Sequence, residues 1–96
     1  MGRKQSIVQR TPGCFLCGKE PTEEHHVFFG IANRKLSDQY GLTVRLCPEH
    51  HRGRKGVHQN REIDLELKKY GQMCFERTYP ELSFREIFGR MYKEVT

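Results

Sequence analysis

Four cysteines and five histidines stand at spacings that suit metal chemistry. Cys14 and Cys17 form a C-x2-C pair in Gly13-Cys14-Phe15-Leu16-Cys17-Gly18, and Cys47 and His50 form a C-x2-H pair in Leu46-Cys47-Pro48-Glu49-His50. Tetrahedral Zn²⁺ takes four sulfur or nitrogen donors, and two short knuckles each supply a pair without strain. Gly18 suits the tight turn that wraps backbone amides towards thiolate sulfur. Disulfide pairing would need an oxidising compartment, whereas the N-terminus has no secretory h-region. The expectation is therefore a structural zinc on Cys14, Cys17, Cys47 and His50. Cys74 lies within a helical pattern away from both knuckles and reads as a small buried apolar residue.

The remaining histidines sit beside these motifs: the pair His25-His26, then His51 directly after the second knuckle, then His58. Neighbouring strand residues point to opposite sides, so His25 and His26 cannot easily face one ion. One can ligate a metal while the other acts as a general base or orients a substrate, because imidazole suits both tasks. If His50 completes the zinc site, His51 is turned elsewhere and is available to a second site. On one unbroken helix His51 and His58 would be about 10.5 Å apart in rise, too far to share an ion comfortably. Gly53 and Gly56 can break that helix and fold His58 back as a third ligand.

The elements that must position these residues are short. Glu24 to Phe29, closed by Gly30, reads as a strand, and Leu42 to Leu46 reads as a second strand running into Cys47. Ile31 to Tyr40 between them reads as a loop or a short helical turn. A long helix is expected from about Gln59 to Thr78, with Ile63, Leu67, Tyr70 and Cys74 at helical spacing and Asp64 paired with Lys68. Gly71 weakens that pattern and Pro80 ends it. Ser83-Phe84-Arg85-Glu86 is a capping box opening a last helix to about Lys93, with Phe84, Ile87, Phe88 and Met91 on its buried face.

At 96 residues the chain is expected to form one small α+β domain, divided into a flexible basic tail (1–12), a zinc-anchored core (13–58) and a helical extension packed on it (59–96). A hydrophobic fraction of 35% and a mean hydropathy of −0.79 allow only a small core, so a metal staple is in keeping with the size. No apolar run is long enough for a membrane span, and a membrane partner is not expected. The net charge of +5 and a pI near 9.2 favour a polyanion partner.

Together, C-x2-C, a His-His pair on a strand, and Leu-Cys-x2-His-His opening a helix resemble the HNH endonuclease family. The likeness is to its small phage and prophage branch with paired histidines, over Cys14 to about His58. It implies a ββα-metal, treble-clef-like core holding a catalytic divalent ion (Mg²⁺, Mn²⁺, Ni²⁺ or Zn²⁺) beside a structural zinc. It implies His25 and His51 as metal ligands and His26 as the general base; His58, folded back by the glycines, is the candidate third ligand. It further implies a DNA endonuclease or nickase, phage-encoded or bacterial, acting in the cytoplasm. The base would activate water while the metal stabilised the charge on the phosphorus and on the leaving 3′ oxygen.

One departure from the pattern stands out. The family's middle Asn usually lies a few residues before the second knuckle, where this chain has Gly41, Leu42 and Thr43; Asn33 comes too early. His58 could compensate as an extra ligand, with Glu23 or Glu24 as alternatives. Arg34, Lys35, Arg45, Arg52, Arg54 and Lys55 surround the expected site in sequence and are candidate contacts to DNA phosphates. The competing readings are a zinc-stabilised nucleic-acid-binding module without catalysis and an adaptor using its C-terminal helices, which could also form a homodimer interface.

Overall fold

The computed structural model describes residues 5–92, a small α+β fold with a two-stranded antiparallel sheet. Strand β1 (Glu23–His26) is followed by helix α1 (Ile31–Tyr40), strand β2 (Thr43–Leu46), a short helix α2 (Pro48–His51), the long helix α3 (Arg61–Thr78) and α4 (Phe84–Phe88). Glu23 stands opposite Leu46, Glu24 opposite Arg45, His25 opposite Val44 and His26 opposite Thr43. Glu23 and His25 thus share one face of the ladder, and Glu24 and His26 share the other.

Ile31–Tyr40 is a ten-residue helix rather than a loop or single turn. Its inward residues Asn33, Leu36, Ser37 and Tyr40 follow helical spacing, but two of them are polar, and the outward Ile31 is 89% exposed. An apolar stripe was therefore not legible there. Ser37 is fully buried and spans the end of the first strand segment. Its hydroxyl donates to the Phe28 carbonyl at 2.7 Å and accepts from the Phe28 amide at 3.2 Å.

The segment expected as a flexible tail is partly docked. Met1–Lys4 lie outside the described residues, whereas Val8 and Gln9 are buried. The Ile7 amide donates to the Gly41 carbonyl at 2.8 Å, and the Arg45 amide donates to Gln9 Oε1 at 2.7 Å. Gln9 Nε2 in turn donates to the carbonyls of Thr11 and Gly13. The physical reason is the open edge of β2, whose polar backbone groups need partners. These few residues supply them.

Helix α3 begins at Asn60, whose side chain accepts from the Ile63 amide at 3.1 Å, and runs to Thr78. Gly71 does not break it. A Cβ there would lie 2.9 Å from Val27 Cγ1 and 3.3 Å from Phe28 Cε2, so glycine lets α3 approach the strand end closely. Asp64 and Lys68 pair at 2.7 Å as expected from their spacing. Helix α4 is capped by Ser83 and stops at Gly89, in a left-handed conformation, short of the expected Lys93, which lies outside the described residues. The core forms where Phe28 meets Phe84 and Phe88, at ring separations of 5.1 and 4.9 Å, with Phe75 beside them. Among the described residues, no helix is long and apolar enough to cross a membrane.

Replacing Ser37 by Ala removes the partner of two Phe28 backbone groups and is expected to destabilise the fold by about 1–3 kcal/mol. A fall in the urea midpoint at constant slope measures it; an unchanged midpoint would show that α1 is held by its other contacts.

Candidate metal centre and histidine cleft

Two donor clusters draw on α2, one through His50 and the other through His51. Cys14, Cys17, Cys47 and His50 bring one donor atom each within 4.8 Å of all the others. Cys17 Sγ is 3.7 Å from Cys47 Sγ, and His50 Nδ1 is 3.3 Å from Cys47 Sγ and 3.7 Å from Cys14 Sγ. Bond lengths of about 2.3 Å to sulfur and about 2.0 Å to nitrogen give tetrahedral edges of roughly 3.8 and 3.5 Å, so the spacing is compatible with zinc. Burial raises the Cys14 pKa, but hydrogen bonds from the backbone at Cys47, Leu16 and Cys17 outweigh it and bring the thiol down to about 6. The knuckle backbone therefore favours the thiolate that a metal requires. Cys74 is buried on α3, away from this cluster.

The second cluster is His25, His51 and His58, again with donor atoms within 4.8 Å of one another. β1 supplies His25, the last residue of α2 supplies His51, and the turn after α2 supplies His58. That turn depends on Gly56, where a Cβ would lie 2.7–2.8 Å from the backbone of His50 and His51. The chain folds back on α2, and the amides of Val57 and His58 bond to the carbonyls of His50 and His51. His58 Nε2 consequently lies 3.2 Å from His51 Nε2.

His25 is 2% exposed and lies edge-on to both other rings, at 5.2 and 5.1 Å. Its Nε2 is buried with no hydrogen-bond partner. Burial first, then the positive charge that His51 and His58 can carry, holds its pKa down to about 3, which keeps the ring neutral. His58 is likewise lowered, mainly by burial. Burial disfavours the charged form of His25 and His58, and with the orphaned nitrogen of His25 the three imidazoles fit a divalent ion with affinity for nitrogen.

Glu23, on the same strand face as His25, orients this set. Its Oε1 accepts from His51 Nδ1 at 2.7 Å, and its carboxylate receives Nε and Nη2 of Arg52 at 3.1 and 2.9 Å. With Nδ1 carrying the proton, His51 Nε2 is left as a lone pair directed at the cluster. His51 first, then Arg52, holds the Glu23 carboxyl below the ordinary carboxylate range.

His26 leaves the other face of β1, with its Nε2 2.8 Å from Asp38 Oδ1. All four histidines still line one cleft of about 240 Å³, together with Glu24, Phe29 and Arg34. Arg34 also lines an adjoining groove with Lys35, Ile31 and Asp38. Arg52, Arg54 and Lys55 are exposed on the turn after α2, Arg52 being held by Glu23. Arg45 is not brought to the cleft; it lines a separate groove with Gln5, Ser6, Gln9, Thr11 and Glu24. Asp38 was not found by sequence reasoning because α1 was not recognised as a helix. Glu23 was considered only as a ligand, and its place on the His25 face was the available clue.

Cobalt(II)-loaded protein is expected to show the visible absorption of a tetrahedral thiolate site, lost in Cys47→Ala together with the folded circular dichroism spectrum. Retention of both would place the metal elsewhere. Glu23→Ala is expected to weaken binding of a second ion by about 10- to 100-fold while leaving the cysteine cluster loaded. Calorimetric titration separates the two sites, and an unchanged second affinity would deny Glu23 that role.

No protein-family model, curated protein or solved structure matches this chain.

Proposed function

We propose that the chain is a metal-dependent DNA endonuclease or nickase of the HNH type, with a ββα-metal core stapled by zinc. The observation that carries this reading is the convergence of His25, His51 and His58 beside His26 in one cleft. Cys14, Cys17, Cys47 and His50 would hold the structural zinc, and the three other histidines the second ion. Bound there, a divalent ion supplies Lewis-acid stabilisation to phosphate oxygens. All three donors are imidazole nitrogens, which favours Zn²⁺ or Ni²⁺ over the oxygen-seeking Mg²⁺ and Mn²⁺.

The remaining work falls to the chain's own groups. His26 takes the proton of the attacking water, a role open to a neutral imidazole near neutral pH. Arg34 lies at the cleft and binds the phosphate backbone, and Lys35, Arg52, Arg54 and Lys55 extend that cationic surface. Phe29 excludes water from the cleft on the side of His58, its ring 5.2 Å from the imidazole. The net charge of +5 brings the chain to DNA in a salt-dependent manner.

Supercoiled plasmid incubated with EDTA, Mg²⁺, Mn²⁺, Ni²⁺ or Zn²⁺ tests this directly. Nicking is expected only with a divalent ion, and His26→Ala is expected to lower the rate by about 10²- to 10⁴-fold with the zinc content unchanged. DNA binding without cleavage under any of these ions would instead favour a zinc-stabilised binding module.

A further inference from the structure

Helix α1 is inserted between the two strands, and its place is fixed from the buried side. The Ser37 hydroxyl bonds to both backbone groups of Phe28, two residues beyond His26. Asp38 comes directly after Ser37 and is thereby set with Oδ1 2.8 Å from His26 Nε2. The His26 side chain is 12% exposed and that of Asp38 36%, so the contact is sheltered on the imidazole side. An ionised carboxylate can only accept, and the ring nitrogen facing it must carry the proton. Nδ1 of His26 is left as the basic lone pair.

We propose that Asp38 is the positioning residue of His26, selecting the Nε2–H tautomer and fixing the ring so that Nδ1 receives the proton of the attacking water. The inference rests on the reading of His26 as the general base. It also accounts for the residues Gly41-Leu42-Thr43, where the resemblance leads one to expect an asparagine. A carboxylate three residues earlier, delivered by a helix rather than by the segment before the second knuckle, orients the base. The proton balance is simple. Water gives one proton to Nδ1 as its oxygen bonds to phosphorus; the bond from phosphorus to the 3′ oxygen breaks, and that oxygen leaves with the bonding pair and takes a proton from solvent. Nε2 keeps its own proton throughout, and Asp38 remains ionised against the resulting imidazolium, which returns its extra proton to solvent. The two carboxylate–histidine pairs therefore select opposite nitrogens. Glu23 holds Nδ1 of His51 and frees Nε2, whereas Asp38 holds Nε2 of His26 and frees Nδ1.

The test compares the zinc-loaded wild type with Asp38→Ala and with the near-isosteric Asp38→Asn. In Asp38→Ala the plasmid-nicking kcat is expected to fall about 10- to 100-fold, with KM and zinc content unchanged. Long-range ¹H–¹⁵N spectra of the imidazoles are expected to show His26 protonated on Nε2 in the wild type and a mixture of tautomers in Asp38→Ala. Asn can turn either its oxygen or its amide to the ring, so the kcat loss in Asp38→Asn should track the fraction protonated on Nδ1. Retention of the Nε2–H tautomer in Asp38→Ala, or a kcat within twofold of wild type in both variants, would overturn the proposal. Absence of cleavage by the wild type under every ion would remove the nuclease reading instead. The spectra alone would then decide whether Asp38 sets the tautomer of His26.

Discussion

Successive side chains of a strand leave opposite faces, and in a strand of four residues this constraint sorts the whole site. Glu23 and His25 fall on one side of β1, where α2 and the turn after it bring His51, His58 and Arg52. Glu24 and His26 fall on the other, where α1 brings Asp38. A register slip of one residue would exchange the two sets, placing His26 beside His51 and His58 and His25 against α1. Val27 and Phe28, the two residues immediately after β1, hold the register, since both are fully buried against α3 and α4. The C-terminal helices thus fix the strand by gripping the chain just beyond it.

A chain of this size has little apolar surface with which to hold a polar site together. His25 is nearly inaccessible and its Nε2 has no partner, an arrangement that costs about 1–3 kcal/mol if nothing else binds it. His51 Nε2 and His58 Nε2 lie within hydrogen-bond distance of each other, so the orphaned nitrogen of the three rings is that of His25. The cysteine cluster answers a related need. It brings the first knuckle against the start of α2, and the backbone hydrogen bonds that lower Cys14 favour the thiolate at that donor. Folding and metal uptake are coupled in such sites. The short α2 has no side-chain cap bond at Cys47, and with a metal present the Cys47 and His50 donors would fix its first turn directly.

Much of this arrangement was legible before the fold was known. The two knuckles, the opposed faces of His25 and His26, and the return of His58 across a glycine turn can be argued from residue type, spacing and strand or turn geometry. The docked N-terminal segment was hidden because its buried residues act through backbone and amide hydrogen bonds, as Gln9 does, and carry no apolar period. Helix α1 was hidden for the converse reason: its spacing is helical, but Asn33 and Ser37 occupy inward positions while Ile31 points out. Losing α1 also meant losing Asp38. Gly71 misled in the other direction, because a glycine that weakens a helix in isolation permits a close helix–strand approach in the fold.

Charge distribution places a further constraint on how such a cleft can meet a polyanion. Glu23 is covered by Arg52 and His51, and Asp64 by Lys68, so these acidic groups do not oppose a phosphate with their full charge. Lys68 Nζ also lies 3.9 Å from the centre of the Phe29 ring, where its charge is partly spread into the aromatic face. Arg34 is then the lysine or arginine that lines the cleft itself, with Lys35 in the groove beside it. A phosphate drawn in by distant cations would meet Arg34, Glu24 and four imidazoles at the cleft, and would be weakly held there until a divalent ion is present.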